Sequence, residues 1–487
     1  MIRTMADLEP DAVLRADIAV VGAGLAGVEL TQFLARQGLR VVLLESGGLE
    51  FDATTQELYR VDQVGLRMRT PETHGQMTPY LLPMYRGNNR IRQYGGTGNA
   101  WTGKWRIFNT WDFEQRPWIP HSGWPLPLSQ LLPSHAEIAR EYGLLDLDAA
   151  LHDPAFLDLS ASLTPYGLTP HPFYWEKHPT RAGTHFFREL RNAANVDVIL
   201  NANAVNIELR PSLDAVQAIN FRALSGRSGR VEAGAFVLAT GGLEVPRLLL
   251  ASNGQVPSGI GNANGLVGRF FMDHPKRKDR HLVPGPAMRQ LLDFVRRQPR
   301  PRISHSISLD LETQRVHELP NHAIYFTPEF TGRGDRLVEV RVQLGIEQFP
   351  NPNSRVYLGV ERDALGMPRL VVDWQLLDTE RVALEVLQRE LVRAFVASGI
   401  GALDLGTNPL TIEEMLDASH HMGTARMADT PSDGVVDLNC RVFGTENLYI
   451  ASSAVFPTGH AYSPTYTIVA LARRLGHHLV HHVAQTP

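Results

Sequence analysis

Residues 17–45 contain a strand–helix–strand unit with a glycine-rich turn, and this unit constrains the fold more than any other part of the chain. An apolar segment at 17–21 predicts a short strand, and the residues up to Gln37 predict a helix that Gly38 ends. A second apolar strand is predicted at 40–44. Strands joined through a helix in this way pair in parallel, so we expect a Rossmann-like domain.

The turn of this unit has the spacing of a dinucleotide-binding loop. Gly22, Gly24 and Gly27 follow the pattern G-x-G-x-x-G. The first glycine permits a tight turn, the second lets the backbone approach a pyrophosphate, and the third allows close packing of helix and strand. Leu25 and Ala26 belong to the same loop, at a helix N-terminus that would stabilise phosphate charge.

An acidic residue ends the second strand. Glu45 lies 21 residues after Gly24, where a carboxylate can accept hydrogen bonds from an adenosine ribose. A carboxylate at this position argues against a ribose 2′-phosphate. The unit therefore predicts dinucleotide binding, while these residues alone leave FAD and NAD both open.

The composition excludes several classes of function. The chain has 487 residues, 43% hydrophobic and 20% charged, which is ordinary for a soluble globular protein of two or three domains. The net charge of −4 offers no basic field for nucleic acid. The single cysteine, Cys440, excludes an intramolecular disulfide, a thiolate zinc cluster and a covalent c-type haem. The histidines of the last helix are interpreted as a solvated face, so we predict no metal site.

The N-terminus bears on location. Its sequence MIRTMADLEPDAVLRADIAVVGAG places acidic residues where a signal peptide has its apolar region. No segment reaches the roughly 18 uninterrupted apolar residues that a membrane span requires. We therefore expect a soluble protein without a membrane span, located in the cytoplasm.

Later segments predict the rest of the architecture. Residues 195–209 alternate like strands, and 230–252 predict a strand, a turn and a helix that join the nucleotide domain. Residues 104–190 are rich in Trp and Pro with little periodicity, and they predict long ordered loops. Residues 300–375 predict antiparallel sheet in a substrate-covering domain, followed by a helix with Asp378 as its N-cap.

With these pieces in order, the chain resembles the glucose–methanol–choline (GMC) family of FAD-dependent oxidoreductases. It is most similar to the bacterial branch with sugar and polyol dehydrogenases and pyranose-oxidase-like enzymes. Besides the N-terminal loop, the stretches that carry the resemblance are YGGTGNAWTGKWR at 94–106, DFEQRPWIPHSGWPLP at 112–127, FVLATGGLEVPRLLLAS at 236–252, LVGRFFMDHP at 266–275, HHMGTARM at 420–427 and NLYIASSAVFPTGHAYSPTYTIVALARRL at 447–475.

The resemblance implies an α/β fold, α+β overall, with two domains. A Rossmann-like FAD-binding domain is joined to an antiparallel-sheet substrate domain, as in the GMC/p-hydroxybenzoate-hydroxylase-like architecture. We expect the FAD-binding domain to be discontinuous and to comprise residues 1–130, 191–275 and 405–487. The substrate-binding domain is expected at 131–190 and 276–404.

The resemblance also implies contacts to the flavin. Gly95, Gly96, Thr97 and Asn99 would form a turn beside flavin N5 and O4. Relatives of the pyranose-oxidase pattern carry a histidine that bonds covalently to the flavin, and here that position is Ala100. Because alanine has no nucleophile, we predict that FAD is bound non-covalently.

Three more residues are expected to contact FAD by the same resemblance. Val205 would offer its backbone to the adenine. Ser452 stands where the family commonly has an aspartate, and its hydroxyl would bond to the phosphate or ribityl region. Pro464 begins the last helix, so the free N–H groups near Thr465 would point at the C2=O2 edge of the flavin and favour negative charge there.

The stretch HHMGTARM offers a catalytic base. Relatives show an H-x-x-G-T pattern, and that register selects His420. In an extended segment neighbouring side chains point to opposite faces, so we expect His421 to turn away and to be structural. His274, in the MDHP stretch, is interpreted as fixing a turn.

A second histidine is expected at the active site. His460 lies four residues before Pro464, which is a spacing seen in histidine-containing relatives. Sugar-oxidising relatives more often place Asn directly before the proline, where this chain has Ser463. His420 and His460 are therefore the predicted catalytic residues, and the sequence leaves open which of them is the dominant base.

These features predict an FAD-dependent enzyme that oxidises a CH–OH group of a sugar, glycoside, aminosugar or polyol to a carbonyl. The histidines would take the proton while hydride passes to flavin N5. The alternatives are a flavin-containing lyase that cleaves cyanohydrins and an oxidase of simple non-sugar alcohols. Oxygen, a quinone or a redox protein all remain open as the electron acceptor, and no nucleic acid partner is expected.

Overall fold

The computed structural model describes residues 1–68, 89–144, 151–176, 179–297, 302–330, 337–404 and 411–485. The predicted domain boundary at residue 405 lies outside these ranges. No helix in the described ranges is long and apolar enough to cross a membrane.

Eighteen strands and eleven α-helices are described. The strands are β1 Ile2–Thr4, β2 Ala12–Val21, β3 Val41–Leu44, β4 Val61–Gly65, β5 Lys104–Trp105, β6 Leu168–Trp175, β7 Val196–Leu200, β8 Asn203–Leu209, β9 Val216–Arg222, β10 Ser228–Leu238, β11 Lys276–Pro284, β12 Arg302–Leu309, β13 His322–Phe330, β14 Leu337–Ile346, β15 Arg355–Arg362, β16 Pro368–Trp374, β17 Gly401–Asp404 and β18 Leu448–Ile450. The helices are α1 Leu25–Arg36, α2 Ala53–Gln56, α3 Leu132–Glu141, α4 Pro154–Leu163, α5 Ala182–His185, α6 Phe187–Asn192, α7 Gly241–Ala251, α8 Pro286–Arg297, α9 Leu311–Val316, α10 Asp378–Ala397 and α11 Thr465–Gln485.

The first sheet has eight strands and a parallel centre. Its order is β1-β7-β3-β2-β10-β9-β8, and β18 also pairs with β10. β1, β7, β3, β2, β10 and β18 pair in parallel, whereas β9 pairs antiparallel with both β10 and β8. The helices α1 and α11 share one apolar core with this sheet, including Phe33, Leu475 and Leu479. Both helices are thereby held against the sheet.

The second sheet has seven antiparallel strands in the order β17-β11-β14-β13-β12-β6-β5. The helix α10 covers it through an apolar stripe of Leu384, Leu387, Leu391 and Phe395, all of which are buried. A third sheet, β15-β16-β4, joins the hairpin of β15 and β16 to β4, which pairs in parallel with β16.

The predicted fold class is confirmed, with a Rossmann-like unit in which β2, α1 and β3 follow one another as expected. The expectation of long loops over 104–190 is wrong, since α3, α4 and the eight residues of β6 lie there. Strand β6 pairs with β12, more than a hundred residues later, so no local pattern marks it. The predicted N-cap is also wrong: Leu377 occupies that position, and Asp378 is the first residue of α10.

Candidate active site

A cavity of about 440 Å³ lies between the first and second sheets. The first sheet contributes the turns that follow β2, β3, β10 and β18, all at the carboxyl ends of parallel strands. This is the edge at which open α/β sheets bind their ligands. The opposite wall includes Tyr325 of β13 and Gln343 of β14. The residues contributed by the four turns include Gly24, Glu45, Ala239, Thr240, Ala451 and Ser452.

The three glycines of the first turn have different surroundings. Gly22 has a φ of 100°, and a Cβ on it would lie 2.8 Å from a backbone oxygen. A Cβ on Gly27 would lie 1.9 Å from the carbonyl oxygen of Gly22, so the turn and α1 can pack only with glycine there. A Cβ on Gly24 would meet no atom within 4 Å. Gly24, Leu25 and Ala26 line the cavity, so the N-terminus of α1 borders it.

Glu45 lies at the end of β3, in the wall of the cavity. Its carboxylate accepts the backbone N–H groups of Ala23 at 2.8 Å and Gly47 at 2.7 Å. Burial raises the pKa of Glu45, and these N–H groups act in the opposite direction. The Glu45 side chain therefore links the turn after β2 to the turn after β3. Its predicted contact with a ribose stays a prediction.

A second cavity, of about 60 Å³, shares Tyr59 and Thr240 with the first. Gly22 and Ala204 are among the residues that line it. Val205 follows Ala204 at a register shift in the pairing of β8 with β9. Such a shift leaves one residue outside the hydrogen-bond ladder. The predicted contact of Val205 with the adenine requires a backbone group that is outside this ladder.

Two of the four residues predicted in the 95–99 turn line the larger cavity. These are Gly96 and Thr97. Gly95 has a φ of 95° and shapes the turn. The side chain of Asn99 donates to the carbonyl of Tyr94 and accepts the N–H of Gly183, each at 2.8 Å. Gly95 and Asn99 are not among the described lining residues, so the structure places them behind the wall.

The N-terminus of α11 also borders the cavity. Pro464 and Thr465 line it, and the first hydrogen bond of the helix runs from the N–H of Ile468 to the carbonyl of Pro464. The N–H groups before Ile468 are therefore not used within the helix. Ser452 lies in the same wall and accepts the N–H of Ala454 through its hydroxyl at 3.0 Å.

Three histidines form a cluster at the wall of the cavity. His420 and His274 line the cavity, and their Nδ1 atoms lie 2.8 Å apart. His274 also contacts the carbonyl oxygen of Gly459 through Nε2, at 2.8 Å. The ring of His460 lies 5.4 Å from that of His274, centroid to centroid. His460 is 1% exposed and is not among the described lining residues, so it lies behind the cavity wall.

His274 makes a contact at the site that its sequence motif does not predict. Its side chain was expected to fix a turn, but it touches His420 directly. The segments that carry the two histidines pair through Met272 and Met422, whose backbones exchange two hydrogen bonds of 3.0 Å. The motif MDHP was the only signal in the sequence, and it carried no information about this pairing.

The expected separation of His420 from His421 is not kept, because both residues line the cavity. Ser419 has a φ of 63°, so the segment is not a regular strand and the alternation of faces does not apply. Burial lowers the pKa of His421 to about 3, with a further contribution from Arg90. His421 is therefore uncharged at neutral pH.

Comparison with known proteins finds one family domain in the chain and several relatives over nearly its full length. Residues 350–472 match the family model described as GMC oxidoreductase. The chain is 26% identical to paromamine 6′-oxidase of Streptomyces fradiae, over 94% of this chain and 90% of that protein. It is 22% identical to the fructose dehydrogenase large subunit of Gluconobacter japonicus, over 95% of this chain and 97% of that protein. The segment 350–472 therefore carries the C-terminal GMC oxidoreductase domain, and the relatives that align with nearly the whole chain are oxidases and dehydrogenases. A solved structure of pyridoxine 4-oxidase from Mesorbium loti has the same fold, with a TM-score of 0.62 at 18% identity over 96% of this chain and 99% of that one.

The cavity fits FAD, the cofactor that the resemblance to GMC oxidoreductases implies. Gly24 presents a surface without a side chain, and two helix N-termini, those of α1 and α11, border the space where a negatively charged group would lie. The hydroxyl oxygen of Thr240 is buried, borders both cavities and makes no hydrogen bond with the described residues. Ala100 also lines the cavity and offers no atom for a covalent bond to FAD.

Proposed function

We propose that this protein is a GMC oxidoreductase that oxidises a CH–OH group of a sugar, aminosugar, glycoside or polyol to a carbonyl. The observation that carries the proposal is the position of His420, in the wall of the cavity that the N-termini of α1 and α11 border. The names of the relatives support this substrate class, since paromamine is the named substrate of one and fructose of another.

The reaction requires two transfers from the substrate. Its O–H proton goes to a base, and its C–H hydrogen leaves as hydride with the bonding electrons, so that a C=O bond forms. Bound FAD supplies the acceptor for the hydride. We assign the proton to His420, because an imidazole is suited to accept a proton near neutral pH. We propose only a supporting role for His460, through its packing in the same cluster, because its ring is buried behind the cavity wall.

Other residues of the wall suit a polar substrate. Tyr325, Gln343 and Lys104 line the cavity from the side of the second sheet. The Lys104 ammonium lies 4.0 Å from the centre of the Tyr325 ring, so the two side chains form one surface. Hydroxyl, amide and ammonium groups can all bond to the oxygens of a carbohydrate.

Anaerobic reduction of the purified holoenzyme tests the proposal. A matched panel contains a hexose, its amino counterpart, a polyol, a simple primary alcohol and a cyanohydrin. Loss of the visible absorbance of oxidised flavin with the carbohydrate members supports the proposal. Cyanohydrin cleavage without flavin reduction indicates a lyase, and an unchanged spectrum with every alcohol overturns the assignment.

The same sample identifies the acceptor and the cofactor linkage. Reduced enzyme is mixed separately with oxygen, a quinone and a redox protein, and the partner that restores the flavin spectrum is the acceptor. Acid precipitation should leave the flavin in the supernatant, since we propose that FAD is bound non-covalently because Ala100 cannot form a bond to it. We also propose a cytoplasmic location, which fractionation of the source cells tests.

A further inference from the structure

The backbone holds His274 and His420 in a fixed relationship. The carboxylate of Asp273 accepts the N–H of His274 at 2.6 Å and the N–H of His420 at 3.2 Å. It also accepts the N–H of Ala418, at 2.9 Å, and is itself fully buried. One carboxylate therefore orders both backbones, which gives the contact between the two rings a defined geometry.

The hydrogen bonds of His274 determine which nitrogen carries its proton. Its Nε2 lies 2.8 Å from the carbonyl oxygen of Gly459, and a carbonyl oxygen can only accept. The proton of a neutral His274 ring is therefore on Nε2, and Nδ1 carries a lone pair. Since the Nδ1 atoms of His274 and His420 lie 2.8 Å apart, one of them must donate, and it is that of His420.

We propose that His274 is a positioning residue that holds His420 in the tautomer with hydrogen on Nδ1 and a lone pair on Nε2. The role of this tautomer in proton abstraction rests on the proposed function, because a neutral histidine can take the substrate proton only at a nitrogen that carries a lone pair. Proton transfer then converts neutral His420 to the imidazolium, with the new proton on Nε2 and the Nδ1–H bond to His274 kept.

The neutral state of His274 agrees with its surroundings. Burial lowers the pKa of His274 to about 4, and the positive charge of Lys276 acts in the same direction. The carbonyl of Gly459 and the carboxylate of Glu347 act in the opposite direction. If His274 were charged, both of its nitrogens would carry hydrogen, and the direction of the bond to His420 would reverse.

His460 provides an internal contrast. Its Nδ1 accepts the backbone N–H of Tyr462 at 2.9 Å, so the hydrogen of a neutral ring is on Nε2. Burial lowers the pKa of His460 well below the ordinary value, which keeps the ring neutral. His460 is therefore a donor at Nε2, whereas His420 is an acceptor there. The two predicted catalytic histidines are held in opposite tautomers by different partners.

Two substitutions of His274 separate the hydrogen bond from the volume of the ring. His274→Phe keeps an aromatic ring but has no acceptor for His420. His274→Asn is shorter but can place its amide oxygen near the position of Nδ1. Nitrogen-15 NMR of the histidine-labelled, FAD-loaded enzyme reports the tautomer of His420, whose signal is assigned by its loss in His420→Gln. Stopped-flow flavin reduction across pH is measured on the same variants, after their FAD content and melting temperature are checked.

The expected result is an Nδ1–H tautomer for His420 in the wild type and a mixture of tautomers in His274→Phe. Flavin reduction should slow by about 10- to 100-fold in His274→Phe, the scale of the loss when a partner that orients a metal-bound histidine is removed. His274→Asn should recover part of that loss and keep the pH profile near the wild type.

The spectroscopic and kinetic outcomes are independent. An Nε2–H tautomer of His420 in the wild type overturns the inference, whether or not any alcohol reduces the flavin. An Nδ1–H tautomer in a protein that no alcohol reduces supports the positioning and contradicts the proposed function alone. Equal reduction rates and pH profiles in wild type and His274→Phe also overturn the positioning role.

Discussion

The guanidinium of Arg116 and the carboxylate of Glu347 make two hydrogen bonds, of 2.7 and 2.6 Å, and both side chains are buried. Arg116 lies in the connection between β5 and β6, and Glu347 directly follows β14. The Glu347 carboxylate also accepts the backbone N–H of His460 at 3.2 Å. This ion pair therefore ties the loop of His460 to the second sheet.

Glu347→Gln should destabilise the protein strongly. It leaves the Arg116 charge buried without its counter-charge, and removing one partner of a buried pair costs about 3–5 kcal/mol. The free energy of unfolding from a denaturant titration measures the change. Glu312→Gln is the control, because Glu312 pairs with Arg315 on the surface and its loss should change little. Similar stability of the two variants would contradict this role of the buried pair.

Alanine at Gly27 and at Gly24 should separate folding from cofactor binding. Gly27→Ala places a methyl group 1.9 Å from the Gly22 carbonyl oxygen, and overpacking of this kind costs about 1–3 kcal/mol. Its melting temperature should therefore fall even without FAD. Gly24→Ala meets no protein atom within 4 Å, so the apoprotein should keep its melting temperature.

The same Gly24→Ala methyl would lie in the cavity, where the backbone is expected to approach the pyrophosphate. We expect its FAD affinity to fall by about tenfold or more, a loss of about 1.4 kcal/mol. Fluorescence titration of the apoproteins with FAD measures the affinities. Wild-type affinity in Gly24→Ala would show that FAD does not pass over this glycine.

The sequence predicted those parts of the site that depend on neighbouring residues. The turn of Gly22, Gly24 and Gly27 was predictable because its geometry follows from a six-residue spacing. The contact of His274 with His420 was not, since 146 residues separate them and only the pairing of Met272 with Met422 brings them together. Long-range contacts of this kind leave no periodic pattern in a single sequence.

His420→Ala should keep FAD but lose most of the reductive activity. Loss of a general base slows a reaction by about 10²–10⁴-fold, and the substitution removes no backbone group of the cavity. The flavin content after purification and the anaerobic rate of flavin reduction by the best carbohydrate of the panel are the measurements. His477→Ala is a control, because His477 is exposed and pairs with Glu137 on α3. Near-normal reduction in His420→Ala would reject the role of His420 as the base.

Glu380, in the first turn of α10, should make stability depend on pH. Its carboxylate accepts the N–H groups of Phe349 at 2.8 Å and Leu377 at 2.6 Å, but burial is the larger effect and raises its pKa to about 8. Between the ordinary value of 4.5 and about 8, the unfolded chain has lost this proton and the folded chain keeps it. The contribution of Glu380 to stability is therefore full at low pH and falls as the pH rises through this window.

Glu380→Gln removes this titration, so the stability of the wild type relative to the variant should decrease from pH 5 to pH 9. Denaturant titrations at intervals across this range give the difference in free energy of unfolding. Glu385→Gln is the matched control, because Glu385 is exposed on the same helix, and its profile should run parallel to that of the wild type. A constant difference between wild type and Glu380→Gln across the range would show that Glu380 has the same pKa in the folded and unfolded chains.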